Sequence, residues 1–403
     1  MELELQAKAA PPRPTTKRLS GKKYFILTLS RVWSWIFLAL MVTFFSIEGT
    51  NFFSLENSQN ILKASVPILL MGLGLTFVMI AGGIDLSVQW VMGLSSVVSA
   101  RIMATMVRDT RPQAYNTLFD AFGKIGISQE VVIILIGCLI GVGIACLAGL
   151  INGTIIAKLR VPPFIVTLGV AFVARGLAWT WAKGNVVSGQ PEGMRSFGAT
   201  GALLFWMPDS EKKIHLFVRP STEGLSRVEI NKMVPVLPWP VIITIILVVV
   251  AYILLKHTQF GRHTYAIGGN KEAALRAGVP VDRHIIMLYV LSGFTAGMAG
   301  FLHTARFMGG QADAGEALLM SSIAAVVIGG VSLSGGEGRV SGTVMGAFLL
   351  GVLETGMVMI KPASTSLSPI YTYGKYIVIG VVVILAVLMD QARDMIIGRV
   401  ESE

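Results

Sequence analysis

Residues 255–283, LKHTQFGRHTYAIGGNKEAALRAGVPVDR, form a strongly polar stretch between two apolar runs at 238–256 and 284–305. The stretch is basic, and its segment 270–276 is a short helix-forming sequence that a glycine and a proline end. Apolar runs of about 20 residues are long enough to cross a membrane as helices. We therefore expect two membrane-spanning helices here, joined by a structured loop on which another protein docks.

The composition indicates an all-α polytopic membrane protein. Of the 403 residues, 53% are apolar and only 14% are charged, and the mean hydropathy is +0.70, whereas a soluble domain has about 25% charged residues. The net charge of +10 is typical of a membrane protein that holds Lys and Arg on the cytoplasmic side, which we favour over nucleic-acid binding. Cys138 and Cys146 would be about 12 Å apart on a helix, too far for a disulfide, so they are interpreted as small core residues.

About ten membrane-spanning helices account for the apolar runs. With the N-terminus in the cytoplasm, ten spans return the C-terminus there, and the basic residues near 158–160, 255–283 and 393–399 all fall on the cytoplasmic side. The predicted spans are 26–47, 61–81, 84–106, 131–157, 163–182, 238–256, 284–305, 318–332, 340–360 and 373–390.

This topology divides the chain into one transmembrane domain and two tails. Residues 1–25 and 393–403 are expected to be cytoplasmic tails, and residues 26–392 form the transmembrane domain, whose first run is interpreted as an uncleaved span. The long connection at 183–237 falls outside and is expected to form an external lobe.

Small residues recur at helical spacing in two of the predicted spans. Such ladders let a second helix backbone approach closely. We expect this packing to occur within one subunit rather than between subunits. The ladders consist of Gly137, Gly141, Ala145, Gly149 and Gly153 in one span, and of Ser292, Ala296 and Gly300 in the other.

The sequence does not indicate an enzyme. It has no GxxxxGK[ST] loop to hold phosphates, and its five histidines show no metal-ligand spacing. The segment 333–339, LSGGEGR, is similar to the LSGGQ signature of ABC ATPases, but without a phosphate-binding loop it is interpreted as a tight glycine-rich turn. No cofactor or metal is expected.

Among the ionisable residues within predicted spans, where a charge is costly and usually functional, Asp85, Arg175 and Glu354 are the candidates for a specific role. Asp85 follows a glycine pair, and two interpretations stay open: a broken helix with a polar site at its half-helix ends, or a cytoplasmic turn with Asp85 as N-cap. Arg175 and Glu354 lie at nearly equal predicted depths of about 18 and 21 Å. We therefore expect them to form an intramembrane pair.

The order of several motifs resembles the permeases of bacterial ABC importers that serve pentoses and hexoses, including the ribose, xylose and galactose systems. The galactose/glucose (methyl-galactoside) permeases are the nearest suggested members. The resemblance covers roughly residues 50–392, with two departures, Gln89 after GIDLSV and a long external connection. It rests on GIDLSV at 83–88, LING at 150–153, VPPFIVTLG at 161–169, FGR at 260–262 with AIGGNKEAA at 266–274, and IGGVSL at 328–333.

The resemblance implies an architecture and a set of partners. It implies a ten-helix subunit in the bacterial inner membrane, two copies of which form a central pathway. A cytoplasmic ABC ATPase drives that pathway, and a periplasmic sugar-binding protein supplies its substrate.

The resemblance also implies two groups of site residues. The polar loop matches the coupling helix that sits in a groove of the ATPase, and the other motifs border the translocation pathway. The expected coupling residues are Gly269, Asn270, Lys271, Glu272, Ala273, Ala274, Arg276 and Gly278, and the pathway candidates are Asp85, Ser87, Trp90, Asn152, Phe164 and Thr167.

Other interpretations stay open from the sequence. The protein could be an ion-coupled secondary transporter. Its substrate could be a nucleoside, a branched-chain amino acid or a furanose signal, because related permeases carry these. The polar loop could lie on the anionic inner leaflet instead of docking a protein. In the external lobe, the apolar segment 203–207 beside charged residues is typical of a protein-docking surface. It could instead pack on the helix ends or lie at the lipid interface.

Overall fold

The structure, a computed structural model, describes residues 21–49, 51–108, 126–199, 201–206, 213–216 and 234–360. It also describes single positions at 119, 122, 123 and 226 and between 374 and 388. The helices are α1 (Gly21–Glu48), α2 (Leu55–Ile80), α3 (Val88–Arg108), α4 (Gln129–Lys158), α5 (Pro163–Ala182), α6 (Glu192–Ala199), α7 (Trp239–His257), α8 (Gln259–Gly269), α9 (Lys271–Arg276), α10 (Val281–Phe307), α11 (Leu318–Ile328) and α12 (Val340–Met359). Three short strands are β1 (Gly201–Trp206), β2 (Lys213–Leu216) and β3 (Val234–Pro238).

The predicted spans correspond closely to these helices. Within the described residues, seven helices are long and apolar enough to cross a membrane (α2, α3, α4, α5, α7, α10 and α12), and shorter apolar helices lie at Trp35–Glu48 and Leu318–Ile328. The polytopic all-α class is therefore confirmed. The tenth predicted span, 373–390, lies almost entirely outside the described residues.

Helices α2, α3 and α10 form the centre of the bundle. In the most apolar window of α2, 72% of residues are buried, compared with 28% in α5 and in α7. A helix that is apolar on all sides can be buried on all sides, and α2 is buried from Ser65 to Ile80 except at Pro67. Helices α5 and α7 lie at the periphery, where their exposed apolar side chains face lipid or another subunit.

The glycine ladders bring α4 and α10 into backbone contact. A Cβ added at Gly153 would lie 2.7 Å from the Cα of Ile286, and one added at Gly149 or Gly293 would collide with backbone of the facing helix. Side chains larger than hydrogen are excluded at these positions, so the two helices pack more closely than ordinary helices do. Packing of these ladders within one subunit is confirmed.

The connection between α2 and α3 is not helical. Residues 81–87 leave α2 through Gly82, whose φ of +80° lies in the left-handed region where glycine has no steric cost. The segment then reaches Asp85, which is 1% exposed and bonds to Ser292. Ser292 lies about 17 Å along α10 from its first residue. The break therefore enters the bundle, which favours the broken-helix interpretation over a surface turn.

A small antiparallel sheet in the order β2-β1-β3 lies within the predicted external lobe. No strand was expected there from the sequence. In the register of the sheet, Leu203 lies opposite Leu216 and Phe205 opposite Val234. Helix α6 precedes the sheet and is fixed to α10, because Phe197 lies 6.0 Å from Phe301 between ring centroids.

Candidate translocation and coupling sites

A buried carboxylate lies at the centre of the α2–α3 break. Asp85 Oδ1 accepts hydrogen bonds from the backbone N–H of Ser87 at 3.0 Å and from its hydroxyl at 2.6 Å. Asp85 Oδ2 accepts one from the hydroxyl of Ser292 at 2.7 Å. Hydrogen bonds to a buried charged group are the stronger kind, and a buried carboxylate without them is costly. The two bonds from Ser87 lie within the break, and the bond from Ser292 holds the extended segment against α10.

Two further predicted residues join this network from neighbouring helices. Asn152 of α4 donates from Nδ2 to the Ser87 hydroxyl at 2.8 Å. Thr167 of α5 accepts from the backbone N–H of Leu86 at 3.2 Å. The network thus connects the break to α4, α5 and α10. Its predicted members are 2% exposed or less, so in this conformation they fix the break rather than line an open passage.

Two members of this cluster were not predicted as site residues. Ser292 was assigned only to a packing ladder, although it donates to Asp85. Tyr289, one helical turn earlier, donates to the carbonyl of Ile84 at 3.5 Å. The signal that could have found them is polarity, because a serine and a tyrosine one turn apart in an apolar span share one face.

Trp90 and Phe164 are separate from the network. The side chain of Trp90 is 5% exposed and lies under the guanidinium of Arg175, whose Cζ is 4.5 Å from the ring centroid. Phe164, in the first turn of α5, is 54% exposed on the outside of the subunit. The structure therefore brings four of the six pathway candidates together and leaves these two apart.

The structure does not bring Arg175 and Glu354 together. Arg175 stacks on Trp90, whereas Glu354 lies close enough to Arg306 of α10 for their charges to interact. Helix α5 packs against α3 and α4, while α12 packs against α1, α2, α7 and α11. The predicted ion pair between Arg175 and Glu354 is therefore not formed in the structure. Equal depth along two helices places their residues at one level but does not make the helices neighbours.

Segments that the topology predicts on one side of the membrane gather at one end of the bundle. The backbone N–H of Gly336 donates to the carbonyl of Ile80 at 2.8 Å, and the Tyr265 hydroxyl donates to the carbonyl of Gly338 at 2.7 Å. Burial raises the pKa of the Tyr265 hydroxyl, so it remains protonated as a donor. At the opposite end, isolated bridges pair Gly49 with Ile360 and Val187 with Gly310.

The segment 333–339 forms the tight glycine-rich turn that the sequence predicts. Gly335, Gly336 and Gly338 all have positive φ values, of 88°, 82° and 154°. Gly268 of α8 packs closely on both the turn and α2. A Cβ on Gly268 would collide with the backbone nitrogen of Gly336 in the turn and with the carbonyl oxygen of Ile80 at the end of α2. The turn is thus part of the packing between α2 and α8.

The predicted coupling residues form helix α9 and its caps. The Asn270 side chain accepts from the backbone N–H of Ala273 at 2.9 Å as N-cap, and Gly278 ends the segment with a φ of +81°. Gly269, before the cap, faces open space.

One face of α9 is buried and the other is presented to solvent. Ala274 is 4% exposed, whereas Leu275 is 61% exposed. Lys271, Glu272, Ala273 and Arg276 are also exposed, and Glu272 pairs with Arg276 at 3.8 Å. The structure thus brings the predicted coupling residues into one element, in which Ala274 anchors α9 to its own subunit. Leu275 is the large apolar side chain on the exposed face, and it was not among the predicted coupling residues.

A cavity of about 730 Å³ lies beside α9. It is lined by the ends of α2, α4 and α5, by α9 and by the first two turns of α10. Gly83 and Tyr289 lie where the cavity meets the α2–α3 break, and five charged residues line it elsewhere: Arg160, Lys271, Glu272, Arg276 and Asp282. Its volume is within the usual range of a small-molecule site.

Comparison with known proteins identifies the family. The sequence model of the family described as "Branched-chain amino acid transport system / permease component" matches residues 57–387. The match covers most of the chain, including the α2–α3 break and α9. The chain belongs to this family of membrane permeases.

Curated relatives are similar over nearly their whole length. The ribose import permease protein RbsC of Escherichia coli (strain K12) is 31% identical over 386 residues, covering 94% of this chain and 100% of the relative. RbsC of Bacillus subtilis (strain 168) is 32% identical over 357 residues, covering 89% and 91%. The galactose/methyl galactoside import permease protein MglC of Escherichia coli (strain K12) is 31% identical over 376 residues, covering 93% and 97%. No solved structure shows significant similarity to the chain.

Proposed function

We propose that this chain is the membrane-spanning subunit of an ATP-driven importer that moves a monosaccharide, a hexose or a pentose, across the bacterial inner membrane. The observation that carries the proposal is the similarity over nearly full length to the ribose and galactose import permeases. In this proposal both termini are cytoplasmic, and two copies of the chain enclose the pathway. The chain itself is not catalytic, so energy comes from a separate ABC ATPase.

The exposed face of α9 supports a docking role toward that ATPase. It combines one large apolar side chain, Leu275, with the charged side chains of Lys271, Glu272 and Arg276. An apolar centre with a charged rim is the usual anatomy of a protein interface, and the charges set its register. Ala274 holds the helix on its own subunit, so a push on α9 is transmitted to the permease.

The contacts of α8 extend this coupling to the α2–α3 break. Helix α8 precedes α9 directly, and its Gly268 lies against Ile80 at the end of α2. In the proposed mechanism, closure of the ATPases moves α8 and α9 as one body. That movement reaches residues 81–87 and, through Asp85, helix α10.

The external lobe is proposed as the place where the sugar-binding protein docks. Helix α6 fixes the lobe to α10 through Phe197 and Phe301. The sheet β2-β1-β3 begins only two residues after α6. A lobe anchored in this way is held at the end of the bundle opposite α9.

An uptake assay tests the proposed function. The chain would be reconstituted into proteoliposomes with an ABC ATPase and a sugar-binding protein from the same organism, and supplied with labelled ribose, galactose, xylose, leucine and uridine. We expect uptake of one of the sugars that requires ATP and survives a proton ionophore. Uptake abolished by the ionophore but not by ATP depletion would identify an ion-coupled transporter instead. Uptake of leucine alone would assign the branched-chain amino acid substrate that the family description names.

A further inference from the structure

Arg175 is an exposed arginine in the interior of a membrane-spanning helix. It is the thirteenth residue of α5 (Pro163–Ala182) and is exposed on the surface of the single subunit. At 1.5 Å per residue it lies about 18 Å from one end of the helix and about 10 Å from the other. A charge at such a depth is costly in lipid unless it reaches the interface or faces water or protein.

The side chain of Arg175 does not reach toward the nearer interface. Its guanidinium lies over Trp90, the third residue of α3. Thr167 of α5 accepts a hydrogen bond from Leu86, just before α3, so these two residues lie at the same level. Counted from that level, Trp90 is four residues further along its segment and Arg175 is eight residues further along α5. The guanidinium therefore lies roughly 6 Å further from the nearer end of α5 than the Arg175 Cα does. This is the direction opposite to snorkelling.

The stack on Trp90 leaves the hydrogen-bonding groups of Arg175 available. The Arg175 Cζ lies over the indole ring of Trp90, which is a cation–π contact. Among the described residues Arg175 has no hydrogen-bond or ion-pair partner, so its five N–H donors are available. An exposed set of donors beside an aromatic ring is suited to hydroxyl oxygens.

We propose that the Arg175–Trp90 stack faces the aqueous translocation pathway and forms a contact site for the hydroxyl groups of a neutral, polyhydroxylated solute. The solute class rests on the proposed function, whereas the aqueous environment of Arg175 rests on the geometry alone. The guanidinium donates to the hydroxyl oxygens, and the Trp90 ring holds it in place. A neutral solute leaves the charge of Arg175 unpaired, so contact is weak and release is easy.

The modification rate of an introduced cysteine tests whether position 175 faces water. In a Cys138→Ala, Cys146→Ala background, Arg175→Cys and Val173→Cys would be compared in the full chain, assembled with its ATPase in lipid nanodiscs. Val173 is a matched control because it is also exposed, is two residues away and is about 200° around the same helix. We expect a charged, membrane-impermeant methanethiosulfonate to modify position 175 at least tenfold faster than position 173. Modification of position 175 only by a lipid-soluble maleimide would overturn the proposal.

Protection of a cysteine by added sugar tests whether the solute contacts this site. The same experiment distinguishes a wrong contact site from a wrong proposed function. Ribose, galactose and xylose would each be added at high concentration during modification of Phe172→Cys, an exposed position one turn from Arg175 on the same face of α5, so that Arg175 itself stays in place. The sugar that the wild-type complex takes up should slow modification at least fivefold, while the others should not. A transported sugar that leaves the rate unchanged would overturn the contact site. If no sugar is taken up, the proposed function fails, and the comparison of positions 175 and 173 still decides whether the stack faces water.

Discussion

The hydroxyl of Ser292 donates to Asp85 Oδ2 across 2.7 Å and so ties the break between α2 and α3 to the middle of α10. The two residues are 207 positions apart in the chain, and the bond lies where both are buried. Asp85 receives its other two bonds from Ser87 within the break itself. Ser292 is therefore the side chain through which Asp85 is attached to α10.

Loss of this bond should destabilise the protein. Ser292→Ala removes one donor from a buried carboxylate, which costs about 2 kcal/mol and should lower the midpoint of thermal unfolding by several degrees. Ser65→Ala is a matched control, because the Ser65 hydroxyl is also buried but, among the described residues, donates to the Ile61 carbonyl of its own helix. Intrinsic tryptophan fluorescence in detergent would follow both variants. Equal midpoints would show that the Asp85–Ser292 bond does not stabilise the fold.

A steric contact fixes the end of the break near the cavity. A Cβ at Gly83 would lie 2.7 Å from the Tyr289 hydroxyl oxygen, so Gly83→Ala should reduce folded yield. The double variant Gly83→Ala/Tyr289→Phe should recover part of the loss, because it removes the atom that collides. Gly143→Ala serves as control, since a Cβ there meets open space. Additive losses in the double variant would contradict the contact.

The two faces of α9 should respond differently to substitution. Leu275→Asp changes an exposed side chain, so it should leave the fold intact while strongly reducing ATPase co-purification and transport. Ala274→Trp places a large side chain at a buried position and should lower folded yield instead. Glu272→Gln breaks only an exposed pair and should have little effect on stability. Full ATPase binding by Leu275→Asp would exclude this face as the docking surface.

The charges of Glu354 and Arg306 should be energetically coupled. Arg306 also donates to the carbonyl of Lys63 at 2.9 Å, which holds it in place. Removing one partner leaves the other charge without its counterpart inside the bundle, so Glu354→Leu and Arg306→Leu should each lower stability, with the double variant less than additive. Arg175→Leu combined with Glu354→Leu should be additive. Coupling in that second pair would restore the pairing predicted from depth.

Removing the sheet should weaken capture of the sugar-binding protein. Replacing residues 201–233 by a short Gly/Ser linker removes β1 and β2 but keeps α6, whose Phe197 packs against Phe301. We expect lower affinity for the binding protein in nanodiscs and unchanged ATPase binding. Unchanged affinity for the binding protein would leave the sheet only a structural role.

Apolar runs and glycine spacing predicted the helices well, because burial in lipid constrains length and composition strongly. The small residues predicted close helix packing at both ladders, but not that α4 and α10 pack against each other. The choice of neighbours could not be predicted in the same way, as Arg175 and Glu354 illustrate. Depth is a property of one helix, whereas pairing depends on how all the helices are arranged.

The positions of the motifs predicted which residues matter in the polar network, but they did not predict that these residues form a buried cluster. Asp85, Ser87, Asn152 and Thr167 were expected along a pathway, and they meet in a buried cluster instead. Ser292 and Tyr289 were not predicted as site residues, because they belong to a distant span whose small residues were interpreted as a helix-packing ladder. A hydrogen-bond network between segments so far apart is visible only in three dimensions.

The carbonyl oxygen of Ile80 has a mechanical consequence. It accepts the N–H of Gly336, and the missing side chain of Gly268 lets α8 rest directly against it. Three segments distant in sequence therefore share one peptide group as their point of contact, with no side chain between them to absorb displacement. A shift of α8 by even an ångström must be taken up by α2 or by the turn at 333–339, so this end of the molecule behaves as a stiff joint.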